Sequence, residues 1–360
     1  MKKACIAILL ILLFTACSRE KPQLMKLAVS EGVQLTGVTV CKTGRIFVNF
    51  PRWRRIPYSV AEIMPDGSFV PYPNEVWNSW KTGEPAGKKF VCIQSVVIDD
   101  DNYLWVLDPA SPGFKGVIAE GAKLVKFDFK TNEAVRIINF DQSIAPEKSY
   151  LNDLRIDTDR KKIYITDSGL GALVIVDLET GKSRRVLDDH PSTAAEDVIL
   201  SINGQDLIHT DGRKPQIHSD GIALDTDNGY LYYHALTGYH LYRIKTEYLN
   251  DFDLPENELA THVEDLGKTP APDGMLLDYR DNLFMADLEN NAIVYRKPTG
   301  EMVTFLEDDR LQWVDTFSMD RFGYIYFTCS HIHQTGWFKK GAEVKDMSFE
   351  VYKADIAILD

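Results

Sequence analysis

The sequence predicts an all-β protein, a six-bladed β-propeller with four-stranded blades. One pattern recurs six times in the 360 residues: an apolar strand, a short polar turn and a second strand. Most of these units are followed by two further alternating strands, and almost no helical periodicity is present beyond the first residues. A β-sandwich is the alternative fold, but it does not require so regular a repeat. The six units begin at residues 35, 93, 151, 219, 272 and 314.

Each unit is predicted to be a hairpin, because alternating residues flank a turn rich in Asp, Asn and Gly. The units are LTGVTVCKTGRIFVNF, IQSVVIDDDNYLWVLD, LNDLRIDTDRKKIYITD, SDGIALDTDNGYLYYH, PDGMLLDYRDNLFMAD and VDTFSMDRFGYIYFTC. The sixth is followed by FEVYKADIAI and by no fourth strand. The segment LMKLAVSEG near the start of the chain is a spare strand. We expect this N-terminal strand to close the last blade, which leaves no long edge unpaired.

The first residues predict export of the protein. MKKACIAILLILLFTACSRE has two lysines, an apolar run too short for a spanning helix, and small residues before Cys17. FTAC resembles a bacterial lipobox in which Cys17 is lipidated, and an ordinary signal peptide is the alternative. We expect a lipoprotein signal peptide over 1–16, a lipidated linker over 17–23 and a single propeller over 24–360. Because no Asp follows Cys17, we expect the bacterial cell envelope, with a lipid anchor in the outer membrane.

The composition excludes several classes of protein. The formal net charge is −13, which argues against nucleic acid as a partner. Beyond the leader only Cys41, Cys92 and Cys329 remain, so at most one disulfide can form and no cysteine cluster suggests structural zinc. GxSxG, HExxH and GxGxxG motifs are absent from the sequence.

The repeat places polar side chains at one end of the central channel. The first strand of a blade lines the axis and the second runs back, so the start of the first strand lies at one end, here called the mouth. The second residue of each unit should converge there: Thr36, Gln94, Asn152, Asp220, Asp273 and Asp315. These carboxylates repel one another unless a cation, a cationic ligand or hydrogen bonds across blades compensate. The Asp residues five positions later are expected to cap turns at the opposite end, here called the far face.

The connecting loops supply further candidates. The long loop NEVWNSWKTGEPAGKK carries Trp77 and Trp80, which either stack on an aromatic or cationic ligand or pack the loop onto the ring. Arg52, in the PRW that follows the first hairpin, is another candidate for ligand binding. His234 joins Asp220 and Asp273 as a candidate acid–base group, and simple packing is the alternative for this histidine.

Several segments carry a resemblance to a known family. GRIFVNFPRW, PYPNEVWNSW, SVVIDDDNYLWVLD and LVKFDFKTNEAVRII resemble the major royal jelly protein and Yellow family, over nearly the whole mature chain. The resemblance implies a six-bladed propeller with a small-molecule site at the mouth. Some insect members bind biogenic amines, and some are linked to dopachrome conversion, a tautomerisation. The insect family's cysteine pairs are absent from this chain.

A second resemblance concerns metal binding. LNDLRID and SDGIALD resemble the axial segments of gluconolactonase-type propellers, in which a Glu, two Asn-type ligands and an Asp hold a divalent metal. Asn152 and Asp220 match that pattern, and Asp273 is a further possible ligand. Thr36 stands at the Glu position and Gln94 at one Asn position, which puts metal-assisted hydrolysis in doubt.

Three functions therefore remain open. The first is an envelope-anchored, Yellow-like propeller that binds a small aromatic or amine molecule and has a dopachrome-tautomerase-like isomerase activity. The second is a metal-dependent lactonase or esterase, with Ca²⁺ or another divalent cation in the central channel. The third is a non-catalytic interaction scaffold. In the first reading the ligand contacts are Gln94, Asn152, Asp220, Asp273, Asp315, Trp77, Trp80 and Arg52.

Overall fold

The computed structural model describes residues 22–356, and the predicted signal peptide and Cys17 lie outside that range. Six four-stranded antiparallel sheets form the blades. The strand at the start of the described chain is β1 (Met25–Glu31). Blade 1 is β2 (Val38–Val40), β3 (Ile46–Asn49), β4 (Val60–Ile63) and β5 (Phe69–Pro71). Blade 2 is β6 (Ser95–Ile98), β7 (Leu104–Asp108), β8 (Lys123–Asp128) and β9 (Glu133–Asn139).

The next two blades enclose a small hairpin. Blade 3 is β10 (Leu151–Asp157), β11 (Lys162–Asp167), β12 (Ala172–Asp177) and β13 (Ser183–Val186). The hairpin is β14 (Ser201–Ile202) and β15 (Gln205–Asp206). Blade 4 is β16 (Ser219–Asp225), β17 (Tyr230–Ala235), β18 (His240–Lys245) and β19 (Glu264–Lys268).

The remaining strands complete the ring. Blade 5 is β20 (Met275–Leu277), β21 (Leu283–Asp287), β22 (Ala292–Arg296) and β23 (Met302–Glu307). Blade 6 is β24 (Val314–Met319), β25 (Tyr324–Cys329), β26 (Ser348–Asp355) and β1. The innermost strands contact one another in cyclic order, from β2 through β6, β10, β16, β20 and β24 back to β2. The prediction of a six-bladed propeller is confirmed.

The last blade is closed by the strand from the start of the chain. β1 pairs antiparallel with β26, from Met25 opposite Lys353 to Glu31 opposite Ser348. Backbone hydrogen bonds therefore join the first and last strands of the described chain. This confirms the expected closure and pairs an edge of β26 that would otherwise be free.

Helices are few and short in the described range. They are α1 (Thr246–Asn250), α2 (Glu256–Leu259) and four 3₁₀ turns at Pro112–Phe114, Ala260–His262, Ile332–Gln334 and Val344–Asp346. Between residues 22 and 356, none of the helices has the length and apolar character that crossing a bilayer requires.

The core lies between neighbouring blades. Successive side chains of a strand point to opposite faces of its sheet, so each blade packs apolar residues against the blades on both sides. Leu107 and Leu124 of blade 2, for example, share one apolar cluster with Leu154 and Ile165 of blade 3. Cys41, Cys92 and Cys329 are buried in this core and are not joined by disulfides.

The far face carries the second set of repeated aspartates. Each accepts a backbone N–H from its own turn at 2.8 Å: Asp99 from Tyr103, Asp157 from Arg160, Asp225 from Asn228, Asp278 from Arg280 and Asp320 from Phe322. These carboxylates fix the tight turns between the first and second strands, as the sequence predicts.

Candidate ligand-binding site at the channel mouth

A cavity of about 780 Å³ occupies the mouth of the channel. Its floor contains five of the six repeated polar residues: Gln94, Asn152, Asp220, Asp273 and Asp315. Thr36, the sixth, is fully buried and its hydroxyl accepts a hydrogen bond from Asn49 Nδ2 at 2.9 Å. The convergence expected from the repeat therefore holds for blades 2 to 6.

Local irregularities of the innermost strands turn these side chains toward the axis. The pairing register shifts around Asn152, Asp220 and Asp315, so each of these residues sits in a bulge at the start of its first strand. A bulge interrupts the alternation of a strand and redirects a side chain. Three of the five floor residues thus stand in bulges, on three different blades.

The glycines that follow Asp220 and Asp273 let neighbouring blades approach closely. A Cβ atom at Gly221 would lie 2.7 Å from the backbone oxygen of Asp273. A Cβ atom at Gly274 would lie 2.8 Å from the backbone oxygen of Asp315. Neither position has room for a larger residue, so the Asp-Gly pairs in SDG and PDG bring carboxyl groups of adjacent blades together.

The floor is held by a hydrogen-bond network. Asn152 Nδ2 donates to Asp220 Oδ1, and Asp220 shares a hydrogen bond with Asp273. Trp313 Nε1 donates to Asp273 Oδ2 at 2.6 Å, and Ser330 donates to Asp315. Two carboxyl groups can share a hydrogen bond only when one of them carries a proton. The contact between Asp220 and Asp273 is therefore a hydrogen bond in the state in which one of the two groups carries a proton.

Burial and mutual repulsion make these carboxyl groups weak acids. Burial, followed by the charge of Asp315, raises the pKa of Asp220 and the pKa of Asp273 well above their usual range. Burial also raises the pKa of Asp315 to about 7, with a further contribution from the charge of Asp153. The floor consequently holds carboxyl groups that release their protons less readily than ordinary carboxyl groups, which suits paired acid–base chemistry.

One wall of the cavity is aromatic. Trp53 stacks on Phe114 with ring centroids 5.3 Å apart, and Trp337 lies 5.3 Å from Trp53 and 5.5 Å from Phe114. Trp53 Nε1 donates to the hydroxyl of Tyr150 at 2.6 Å, and that hydroxyl donates to Gln94 Oε1 at 2.8 Å. The wall is therefore connected to the polar floor by hydrogen bonds.

The cavity rim carries basic residues from the loop between β15 and β16. His209 stacks on Phe338 with centroids 4.7 Å apart. Arg213 pairs with Asp211, and Lys214 pairs with Asp197. Both rim cations therefore have a carboxylate partner of their own.

Three sequence candidates lie elsewhere. Trp77 is packed in the core against Phe90, with centroids 5.0 Å apart, and Trp80 is 2% exposed with its Nε1 donating to the backbone oxygen of Glu84 at 3.0 Å. Arg52 Nε donates to a backbone oxygen, and its guanidinium lies 5.6 Å from the centre of the Trp80 ring. None of the three lines the cavity. The packing alternative holds for the loop, because large apolar rings are stabilised by leaving water.

His234 is also remote from the cavity lining. It is fully buried, its Nδ1 contacts the backbone oxygen of Ala235 at 2.6 Å, and its Nε2 contacts Thr269 Oγ1 at 3.1 Å. Burial lowers the pKa of His234 to about 4, so the imidazole stays neutral at physiological pH. Both ring nitrogens are engaged, as the packing alternative expects, and a part in proton transfer stays an untested prediction for this histidine.

The floor does not have the geometry of a metal site. In the part of the chain that the structure describes, no three His, Cys, Asp or Glu side chains converge as metal ligands would. The side-chain amide of Asn152 is engaged in a hydrogen bond with Asp220. Thr36, at the position where gluconolactonases have Glu, is engaged with Asn49. A divalent cation of the gluconolactonase type does not fit this arrangement.

The fold and the site define a six-bladed propeller with an acidic, aromatic-walled cavity on its axis. The sequence profile of the family described as major royal jelly protein matches residues 91–359, and the chain belongs to this family. Major royal jelly protein 1 of Apis mellifera is 23% identical over 230 residues, 60% of this chain and 51% of the relative. Major royal jelly protein 6 of the same organism is 24% identical over 262 residues, 69% of this chain and 57% of the relative.

The chain therefore spans little more than half the length of these relatives. Among solved structures, a gluconolactonase from Xanthomonas campestris superimposes with a TM-score of 0.58 at 11% identity, covering 96% of this chain and 93% of that one. At such low identity the likeness shows the shared propeller fold alone.

Proposed function

We propose that this propeller binds a small molecule with a protonated amine and an aromatic body in the mouth cavity. The observation that carries the proposal is the position of three buried carboxyl groups beneath an aromatic wall. An amine at the floor replaces the shared proton as the counter-charge of Asp220 and Asp273. The aromatic body then lies against Trp53, Phe114 and Trp337, whose rings attract both apolar groups and cations.

The same floor supports a tautomerisation. In such an isomerisation an ionised carboxylate takes a proton from one atom of the ligand, and a protonated carboxyl group gives a proton to another. No oxidant, reductant or water is consumed. For a ligand whose amine does not displace the proton between them, Asp220 and Asp273 supply the acid and the base as one hydrogen-bonded pair. We propose these two residues as the acid–base pair, and the localisation in the envelope through Cys17 stays part of the proposal.

The test is titration calorimetry with three ligands that differ in one group: tyramine, 4-ethylphenol and 4-hydroxyphenylacetate. Tyramine should bind most tightly, and its binding should release a proton when measured in buffers of different ionisation enthalpy. Asp220→Asn should weaken tyramine binding by about 1–3 kcal/mol, roughly 5- to 150-fold, because one charge-assisted contact is lost.

Asp225→Asn is the matched control, since Asp225 belongs to the same strand but caps a turn at the far face. Its variant should keep the affinity for tyramine. Equal loss of affinity in both variants, or equal binding of all three ligands, would contradict the proposed site. Conversion of dopachrome, followed by its visible absorbance in wild type and in Asp220→Asn, tests the isomerase step. Hydrolysis of gluconolactone that depends on added divalent metal would favour the lactonase alternative instead.

A further inference from the structure

A second pocket lies at the seam where blade 1 meets blade 6. It has a volume of about 330 Å³ and is enclosed by residues 32–34 after β1, by residues 51–56 after β3 and by residues of the loop between β25 and β26. It shares Trp53 with the mouth cavity, but none of the floor carboxyl groups lines it. Its chemistry is therefore separate from the site described above.

Arg54 is the principal charged group of this seam pocket. Its guanidinium lies 4.3 Å from the centre of the Trp337 ring. Burial lowers the pKa of Arg54, and no carboxylate between residues 22 and 356 acts in the opposite direction. Arg185, by contrast, pairs with Asp167 at 2.6 Å. A partly buried guanidinium without an anionic partner is costly, so it indicates a place that an anion can fill.

Gln34 fixes the orientation of the guanidinium. Gln34 is 5% exposed, and its Nε2 donates to the backbone oxygen of Ser330 at 2.7 Å. This bond turns Gln34 Oε1 toward Arg54, whose Nη1 donates to it at 3.0 Å. Only one of the five N–H donors of the guanidinium is used by this contact, and the planar fork keeps donors for a two-point contact with an oxyanion.

The remaining charges of the pocket leave it positive. Arg55 is exposed and lines the same pocket as Arg54. Glu343 is the carboxylate in the lining, and it pairs with Lys345 at 2.7 Å. The pocket is thus a locally basic site in a chain whose net charge is −13. Val33, Ile56 and Val344 supply apolar lining beside these charges.

We propose that the seam pocket binds a small oxyanion, a carboxylate or a phosphate, on the guanidinium of Arg54. The apolar lining favours an organic acid over a bare inorganic ion. Because the pocket is built from the segments that follow β1, β3 and β25, an occupant contacts both the first and the last blade. Binding should therefore raise the free energy of unfolding, in proportion to the logarithm of the anion concentration. This site is additional to the amine cavity and does not depend on its function.

The test compares benzoate and phosphate with chloride at equal ionic strength, by thermal unfolding and titration calorimetry on the mature protein. Wild type should show stabilisation by benzoate or phosphate beyond that of chloride. Arg54→Gln should weaken the binding of that anion at least about tenfold, since a charge-assisted contact is lost. Gln34→Glu should abolish binding, because the new carboxylate pairs with Arg54. This variant also loses the hydrogen bond to the backbone oxygen of Ser330, so its melting temperature is measured without anion to show that it is folded.

Arg321→Gln is the control, because Arg321 also lies over an aromatic ring, that of Phe322 at 4.8 Å, but is exposed on the far face. It should keep the binding of the anion. The proposal is overturned if benzoate and phosphate stabilise the wild type no more than chloride does. It is equally overturned if Arg54→Gln and Gln34→Glu bind these anions as wild type does.

Discussion

Replacing Asp315 with Asn should reduce the loss of stability that the protein undergoes as the pH rises. Burial raises the pKa of Asp315 from an ordinary 3.8 to about 7 in the folded protein. Between these values the folded state keeps a proton that the unfolded chain has released. The free energy of unfolding therefore falls with rising pH across this window, by up to about 1.4 kcal/mol per pH unit.

The magnitude follows from the two pKa values. From pH 5 to pH 8 the wild type should lose about 2.6 kcal/mol of stability through this one group. For a protein of this size the corresponding decrease in melting temperature is about 4 °C. Asp315→Asn keeps the shape and an oxygen that accepts from Ser330, but it has no proton to lose. It also removes the charge that raises the pKa of Asp220 and of Asp273.

The assay is thermal and urea unfolding of both proteins at pH 5, 6, 7 and 8. The variant's melting temperature should fall about 4 °C less than that of wild type between the two extremes. Asp309→Asn, which removes one exposed carboxylate, should leave the wild-type pH dependence in place. If Asp315→Asn loses as much stability as wild type between pH 5 and pH 8, the carboxyl group is ionised throughout and the account of the floor is wrong.

Two further predictions concern the ends of the ring and of the chain. Deleting residues 20–31 removes β1 and exposes the edge of β26, so the truncated protein should aggregate, as measured by size-exclusion chromatography. A soluble truncation with an unchanged melting temperature would refute the closure argument. Cys17→Ser should move the protein from the membrane fraction to the soluble fraction on cell fractionation, and a variant that stays membrane-bound would show that the lipobox interpretation is wrong.

The ring was predictable from the sequence because its signals are local and repeated. Five of the six hairpins carry the same turn chemistry, in which an Asp accepts backbone N–H groups within four residues, and Cys41 stands at this position in the first. The closing strand was predictable by counting, since the last unit had three strands of its own and one strand was spare near the start. The floor followed from the same repeat, because a residue at a fixed place in each unit takes the same place around the axis.

The aromatic wall could not be predicted in this way. Trp53, Phe114 and Trp337 lie in loops of different length, and the path of a loop depends on tertiary contacts that the repeat does not specify. One signal was present: Phe114 and Trp337 each follow a glycine shortly after the second strand of a blade. Trp77 and Trp80 are also tryptophans on a loop, and that loop is longer. It folds back on itself, however, and both rings are buried.

The direction of β1 determines which way the cavity faces. Met25 pairs with Lys353 near the far face, and Glu31 pairs with Ser348 near the mouth. The polypeptide before β1 therefore leaves the ring at the end opposite the cavity. Seven residues lie between Cys17 and Met25, so the tether between them is at most about 27 Å long. A lipid on Cys17 would hold the far face of the propeller toward the bilayer. The mouth cavity would then open away from the membrane, toward molecules in the aqueous compartment.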